Sequence, residues 1–269
     1  DMSATAAQTL PAPASGPSSP WDLQLVAVMV SVNYHGEMNV SLPRLVSVCD
    51  CVYVVTSPED VRTQQMARDA GAEVLICRNF HARRATFNKA EAVLIGQQEA
   101  HRRHPDAWYA LVDADIVVPE NLRELVMEEA LVSNALYTMP RYDYWTPQAY
   151  ADKRPDDKYN KLGVGYFQLY SEATRFYASW SQNASKADIV FRNKFKHMYQ
   201  LSGFVEHLGR KRINWDGRKS EEWVPVPPSA PDEPSPRHPR VPGDTGADDT
   251  LKDLGGHDDQ DPGGNDAQT

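Results

Sequence analysis

The stretch from Leu23 to Asn33 reads Leu-Gln-Leu-Val-Ala-Val-Met-Val-Ser-Val-Asn, and this nearly unbroken apolar run does most to narrow the folds open to the chain. A strand with one wet face alternates apolar and polar residues. A strand that is apolar at successive positions has to be covered on both faces, which usually means a parallel sheet between helices. Comparable runs follow at Cys51 to Thr56, Glu73 to Cys77, Trp108 to Val112 and Ala135 to Met139. The segments between them carry helix signals. Ser57-Pro58-Glu59-Asp60 places Pro at a first helical position with acids beside it, so the pattern predicts a helix to about Ala70, stopped by Gly71. Lys89 to Arg103 repeats apolar residues at helical spacing, Pro119 to Ser133 reads as another helix, and Ser41 to Val48 as a short helix or turn. This alternation predicts a Rossmann-like, mostly parallel sheet flanked by helices. Ligands of such sheets sit beyond the carboxyl ends of the strands, where Asn33, Thr56 and Asp113 fall.

The second half is less regular. Arg141 to Lys161 is polar, aromatic and Pro-containing and reads as a loop; Val164 to Tyr170 is a short apolar segment. Ala187 to Met198 reads as a helix, and Phe204 to Gly209 as a short strand entering a turn. Residues 1–20, rich in Ala, Ser, Pro and Thr, and residues 224–269, rich in Pro, Gly and Asp, lack the apolar surface to offset chain entropy and are expected to be disordered. One folded domain, 21–223, remains. Of the formal charge of −9, the stretch 224–269 supplies most, with ten Asp/Glu against three Lys/Arg. The domain is therefore near neutral, which removes any argument for a nucleic-acid surface. Cys49, Cys51 and Cys77 do not form a disulfide framework, no run approaches a membrane span, and a cytoplasmic setting is expected.

Asp113-Ala-Asp115 stands at the end of the fourth apolar run, closed beyond Ile116-Val117-Val118 by Pro119. Two aspartates one residue apart occur by chance in roughly one chain of this size. Asp259-Gln-Asp261 is such a case, with no strand before it. In an extended chain, residues i and i+2 share a face, so Asp113 and Asp115 are placed to converge on one divalent cation and, through it, on a diphosphate.

Several motifs in order carry a resemblance: Val32-Asn33-Tyr34, Val54-Val55-Thr56-Ser57, Phe87-Asn88-Lys89-Ala90, Leu111-Val112-Asp113-Ala114-Asp115-Ile116, Gly165-Tyr166-Phe167-Gln168-Leu169, Ala187-Asp188-Ile189-Val190-Phe191, and His207-Leu208-Gly209 with Asn214-Trp215-Asp216-Gly217-Arg218. Over about residues 24 to 223 the chain resembles a GT-A glycosyltransferase of the family 2 type. The resemblance implies that Asp113 and Asp115 hold Mn²⁺ or Mg²⁺ against the diphosphate of a UDP- or GDP-linked sugar, and that His207 completes the metal site. It also implies that Asp188 is the general base acting on the hydroxyl of a carbohydrate or small-molecule acceptor, in an inverting transfer. Asn33 and Thr56 are expected to line the nucleoside pocket. Asn88 and Lys89, at a helix start that favours anions, are expected at the sugar or ribose and at the diphosphate, with Arg83 and Arg84 just before them. Tyr166 and Gln168 are expected on one strand face beneath the donor sugar. Tyr142, Tyr144 and Trp145, in the loop on the acceptor side, are candidates to stack on a sugar.

Each of these residues also has a plainer reading: His207 as a turn histidine, Asp188 as a helix-start carboxylate, the arginines as a solvated turn, the aromatics as core. Two other functions compete. A haloacid-dehalogenase-like phosphatase also uses paired strand-end aspartates, but on the first strand, whereas this pair is on the fourth. The other is a sugar-nucleotide-binding module without catalysis.

Overall fold

The computed structural model describes residues 23–129, 132–159, 165–210, 214–218 and 222–229. The expectations for residues 1–20 and for 230 onward lie outside the described residues. Residues 224–229, assigned to the tail by composition, continue the domain: Ser229 donates its backbone N–H to Asp152 at 2.6 Å.

The first half is laid down as β1 (Leu25–Val30), α1 (His35–Val48), β2 (Cys51–Thr56), α2 (Val61–Asp69), β3 (Glu73–Ile76), α3 (Lys89–Arg103) and β4 (Trp108–Asp113). There follow β5 (Ile116–Val117), α4 (Leu122–Glu128), β6 (Ala135–Thr138), β7 (Arg141–Tyr144), α5 (Pro147–Ala151), β8 (Asp157–Tyr159), β9 (Phe167–Tyr170), α6 (Ala184–Arg192), β10 (His197–Gln200) and β11 (Val205–Leu208). The main sheet has the order β10-β6-β9-β4-β1-β2-β3, and a smaller one the order β5-β11-β7-β8. In the main sheet only β9 runs antiparallel to its neighbours. The chain is therefore a mixed α/β domain with a mostly parallel sheet flanked by helices. The order reverses between β1 and β4, and a crevice opens beyond their carboxyl ends at that switch.

Both faces of the sheet are buried, as the apolar runs require. Met29, Val54, Val112 and Phe167 pack against Met38, Leu42 and Leu45 of α1 on one face. Val28, Val55, Leu111 and Tyr170 pack beneath α3 and α6 on the other. Truncating a fully buried leucine such as Leu45 to Ala is expected to cost about 2–5 kcal/mol. Helix α3 lies unusually close to the sheet: a Cβ on Gly96 would stand 2.3 Å from a Val28 methyl, so a mid-helix glycine, normally unfavourable by about 1 kcal/mol, sets the depth of the helix.

Several expected boundaries move. Helix α1 starts at His35, well before Ser41, and continues through Pro43 because its buried face outweighs the proline. Pro58 does not open α2. Asp60 caps it instead, accepting from the Thr63 N–H at 3.1 Å. Helix α4 ends at Glu128, short of Ser133. Helix α6 occupies Ala184–Arg192 instead of Ala187 to Met198: Asn183 caps it three residues earlier, and the end of the expected helix is the edge strand β10. The segment Arg141 to Lys161, expected to be a loop, carries β7, α5 and β8, which build the smaller sheet.

Candidate active site

The crevice beyond β1 and β4 is a cavity of about 460 Å³ whose walls include Asp113, Asp115, His207, Lys89 and Asp188. Five residues from four separate stretches of the chain thus meet at one place. Asp113 is the last residue of β4, beside Val30 of β1. The strand does not run on to Asp115. The chain turns at Ala114-Asp115, whose Ala114 carbonyl accepts from the Ser41 hydroxyl at 2.6 Å, and enters β5 in the smaller sheet. The two carboxylates therefore reach one cavity through a turn, not by sharing the face of an extended strand.

Each carboxylate has its own cationic partner. Lys89 Nζ lies 2.7 Å from Asp113 Oδ1 and 3.1 Å from Asp188 Oδ1, with only 9% of its side chain exposed. Burial opposes the ammonium, but the two carboxylates outweigh it and raise its pKa. Burial pushes Asp113 up to about 6 although Lys89 draws it down, with Asp188 and Asp115 adding repulsion.

Asp115, just before β5, lies 3.5 Å from Nε2 of His207, whose register partner on β5 is Ile116, while His207 Nδ1 is 2.6 Å from Asp143 Oδ1. Burial alone would lower His207; Asp115 and Asp143 overcome it and raise the imidazole to about 9. The same pairing overcomes burial at Asp115 and holds its carboxyl below the usual range. Asp143 is fully buried and also paired with Arg141 at 2.9 Å.

Asp188 sits in the second turn of α6, not at its start, so the helix-start role falls to Asn183. Tyr177 donates to its Oδ1 at 2.9 Å. A Cβ on Gly165 would stand 1.9 Å from Asp188 Oδ2, so only glycine lets the chain pass the carboxylate this closely. Asn214 and Trp215 of the Asn214–Arg218 segment add to the cavity wall. The Trp215 carbonyl accepts from the Ala184 N–H, Asp216 accepts from Thr86 and Asn183, and Arg218 pairs with Glu37 below the Tyr34 ring.

The other expected residues are placed differently. Asn33 has φ 62° and gives its N–H to Asp60 at 2.6 Å, and Thr56 is fully buried. Asn88 caps α3 and accepts from the Ser181 N–H at 2.8 Å. None of the three is in the cavity wall. Tyr166 is, with its hydroxyl donating to the Met139 carbonyl. Tyr166 precedes β9 and packs with the α1-side core, whereas Gln168 lies on the α3 side, so the two do not share a face. Arg83 and Arg84 are exposed in a 3-10 turn outside the wall. Tyr142 stacks on Phe204 and Tyr144 is core, while Trp145 is exposed with Arg210 over its ring.

Sequence reasoning passed over Arg141, Asp143, Tyr177 and Arg192. Arg192 was findable, one turn after Asp188 on the same helix. Arg141 and Asp143 alternate on a strand that polarity disguised as loop.

Among the described residues, no group of three or more His, Cys, Asp or Glu side chains is gathered ready for a metal ion. The donor chemistry nevertheless fits Mn²⁺ or Mg²⁺. Asp113 and Asp115 offer hard oxygens in one cavity, and Asp143 turns the imidazole of His207 as carboxylates do behind metal-binding histidines, its own Oδ2 buried without a partner.

No family model matches the sequence, and no curated protein matches it. Solved structures do. S. aureus TarS 1-349 is 9% identical at TM-score 0.46, with 69% of this chain aligned; the chain spans 60% of that one. Glucosyl-3-phosphoglycerate synthase from Mycobacterium tuberculosis, in complex with Mn²⁺, UDP and phosphoglyceric acid, is 13% identical at TM-score 0.43, over 70% of this chain and 72% of that one. A 4-diphosphocytidyl-2C-methyl-D-erythritol synthase is 13% identical at TM-score 0.42, over 66% and 89%. At these identities and scores none assigns an activity. The chain's own strand order, with β9 antiparallel and the cavity beyond β4, is that of a Rossmann-like α/β domain with a mostly parallel sheet flanked by helices. No helix among the described residues is long and apolar enough to cross a membrane.

Proposed function

We propose that the protein transfers a sugar from a nucleotide-diphosphate donor to an acceptor hydroxyl, with inversion at the anomeric carbon. The observation that carries this reading is the meeting of Asp113, Asp115, His207, Lys89 and Asp188 at the sheet's switch point. Mn²⁺ or Mg²⁺ held by Asp113, Asp115 and a His207 that gives up its Nε2 proton on binding would supply charge neutralisation for the departing diphosphate. Asp188 takes the proton of the acceptor hydroxyl as its oxygen attacks the anomeric carbon, and the bond to the diphosphate breaks with its electron pair leaving on the nucleotide. Lys89, bonded to both Asp113 and Asp188, fixes the spacing of donor and acceptor sides and places a positive charge beside the diphosphate. Tyr166 and Trp215 wall the cavity that would receive the sugar. UDP- and GDP-linked sugars share the diphosphate this site addresses, as do the UDP complexes of the mycobacterial synthase.

Release of free nucleotide from UDP-glucose, UDP-galactose, UDP-N-acetylglucosamine and GDP-mannose, with and without Mn²⁺, tests the proposal. Mn²⁺-dependent release from one donor, lost in Asp113→Ala, is expected. Release of inorganic phosphate from a generic phosphoester instead would overturn it in favour of a phosphatase.

A further inference from the structure

We infer that Tyr177 is a positioning residue for Asp188, holding one oxygen of that carboxylate so that the other faces the reacting groups; the inference rests on the reading of Asp188 as the base. Tyr177 comes from the irregular segment between β9 and α6, yet it is 3% exposed and tied at three points. Its backbone N–H donates to the Gln97 side chain at 2.7 Å. Its ring stacks on Phe191 with centroids 4.5 Å apart. Its hydroxyl lies 2.9 Å from Asp188 Oδ1 and 2.6 Å from the Gln168 carboxamide. Phe191 and Asp188 are three residues apart on α6 and so lie on one face. A single side chain therefore grips the helix through its ring and the carboxylate through its hydroxyl.

Gln168 makes the arrangement directional. It is fully buried on a central strand opposite Leu111, where an amide is costly unless it is bonded. A phenol has one proton to give. With the carboxamide nitrogen, which otherwise has no partner, turned to the phenol oxygen, Gln168 donates to Tyr177 and Tyr177 donates to Asp188. Burial, with Asp188 beside it, pushes the phenol well above its usual range and keeps it a donor. Lys89 reaches both oxygens of Asp188, Oδ1 at 3.1 Å and Oδ2 at 3.4 Å, but Tyr177 holds Oδ1 alone, while Oδ2 lies against Gly165 in the cavity wall. Oδ2 is the atom presented to an acceptor hydroxyl.

The test compares wild type with Tyr177→Phe, which keeps the stack on Phe191 and removes the hydroxyl. In nucleotide release from the responsive sugar donor of the panel above, with Mn²⁺, kcat is expected to fall about ten- to hundredfold while the donor KM stays within about twofold. Unchanged kcat overturns the inference, and so does a fall in kcat accompanied by a matching rise in donor KM, the mark of a merely structural role. A second readout needs no turnover: the Asp188 carboxyl ¹³C resonance, assigned by its loss in Asp188→Asn, moves in Tyr177→Phe if the hydroxyl donates to it, and a resonance that stays in place overturns the inference. Should wild type release no nucleotide from any donor, the proposed function fails and the resonance still decides the contact. If Tyr177→Phe does not fold, Gln168→Leu is read the same way, with a smaller fall in kcat and a smaller displacement expected and no change in either overturning the inference.

Discussion

Two histidines are each 6% exposed, and the protein treats them in opposite ways. His101, on α3, packs among Tyr109, Tyr170 and Phe176 and meets the Tyr170 hydroxyl at 2.9 Å; burial lowers it to about 4 and the imidazole stays neutral. His207, on β11, is flanked by Asp115 and Asp143, which reverse the effect of burial and raise it to about 9. Burial therefore does not separate site from core here. The acids do: beside the cavity, at Lys89 and His207, a buried nitrogen meets carboxylates, whereas His101 is set among aromatic rings.

The largest expected effect tests the acid side of that contrast. Asp113→Ala is expected to reduce transfer on the order of a thousandfold, read as nucleotide release, while the fold persists. Activity near that of wild type would detach the cavity from the chemistry.

The parts of this contrast that were legible in the sequence are those carried by regular elements. Trp108–Asp113 and Lys89–Arg103 fall where the apolar pattern puts them, so Asp113 and Lys89 could be named together as candidate site residues. The carboxylate behind His207 could not. Asp143 and Arg141 lie on a strand stabilised by pairing within the smaller sheet rather than by an apolar run, and periodicity is silent there. Tyr177 lies outside any helix or strand, and only tertiary packing brings it to Asp188. Helix α6 was displaced because the Asn183 cap and the Asn193 stop count for more than the apolar residues that continue past them.

Next in size, Lys89→Met leaves Asp113 and Asp188 facing each other without their shared cation. Breaking a buried pair in this way is expected to cost about 3 kcal/mol or more in urea unfolding. A variant as stable as wild type would mean that the two carboxylates do not depend on Lys89. Asp143→Asn sharpens the His207 side: with the carboxylate behind the imidazole neutralised, calorimetric Mn²⁺ affinity is expected to weaken about ten- to hundredfold. Unchanged affinity would reduce His207 to a structural group.

The smallest effect belongs to the core histidine. Because the folded protein holds His101 near 4 against 6.5 for the free side chain, the unfolded chain binds the proton first as pH falls. The stabilisation is complete above about 6.5 and is lost between there and about 4. In His101→Gln, thermal melts across this window should lose part of their pH dependence; an unaltered profile would show that His101 does not contribute to it.

The reading proposed above stands or falls on whether Asp113 and Asp115 bind a donor diphosphate through a divalent cation. Calorimetric titration of UDP into wild type and Asp113→Asn, each with and without Mn²⁺, tests it most directly. UDP binding that appears in wild type only with Mn²⁺ and disappears in the variant is the predicted result. Equal UDP binding in all four titrations, or no binding in any of them when UDP and then GDP is the titrant, would contradict it.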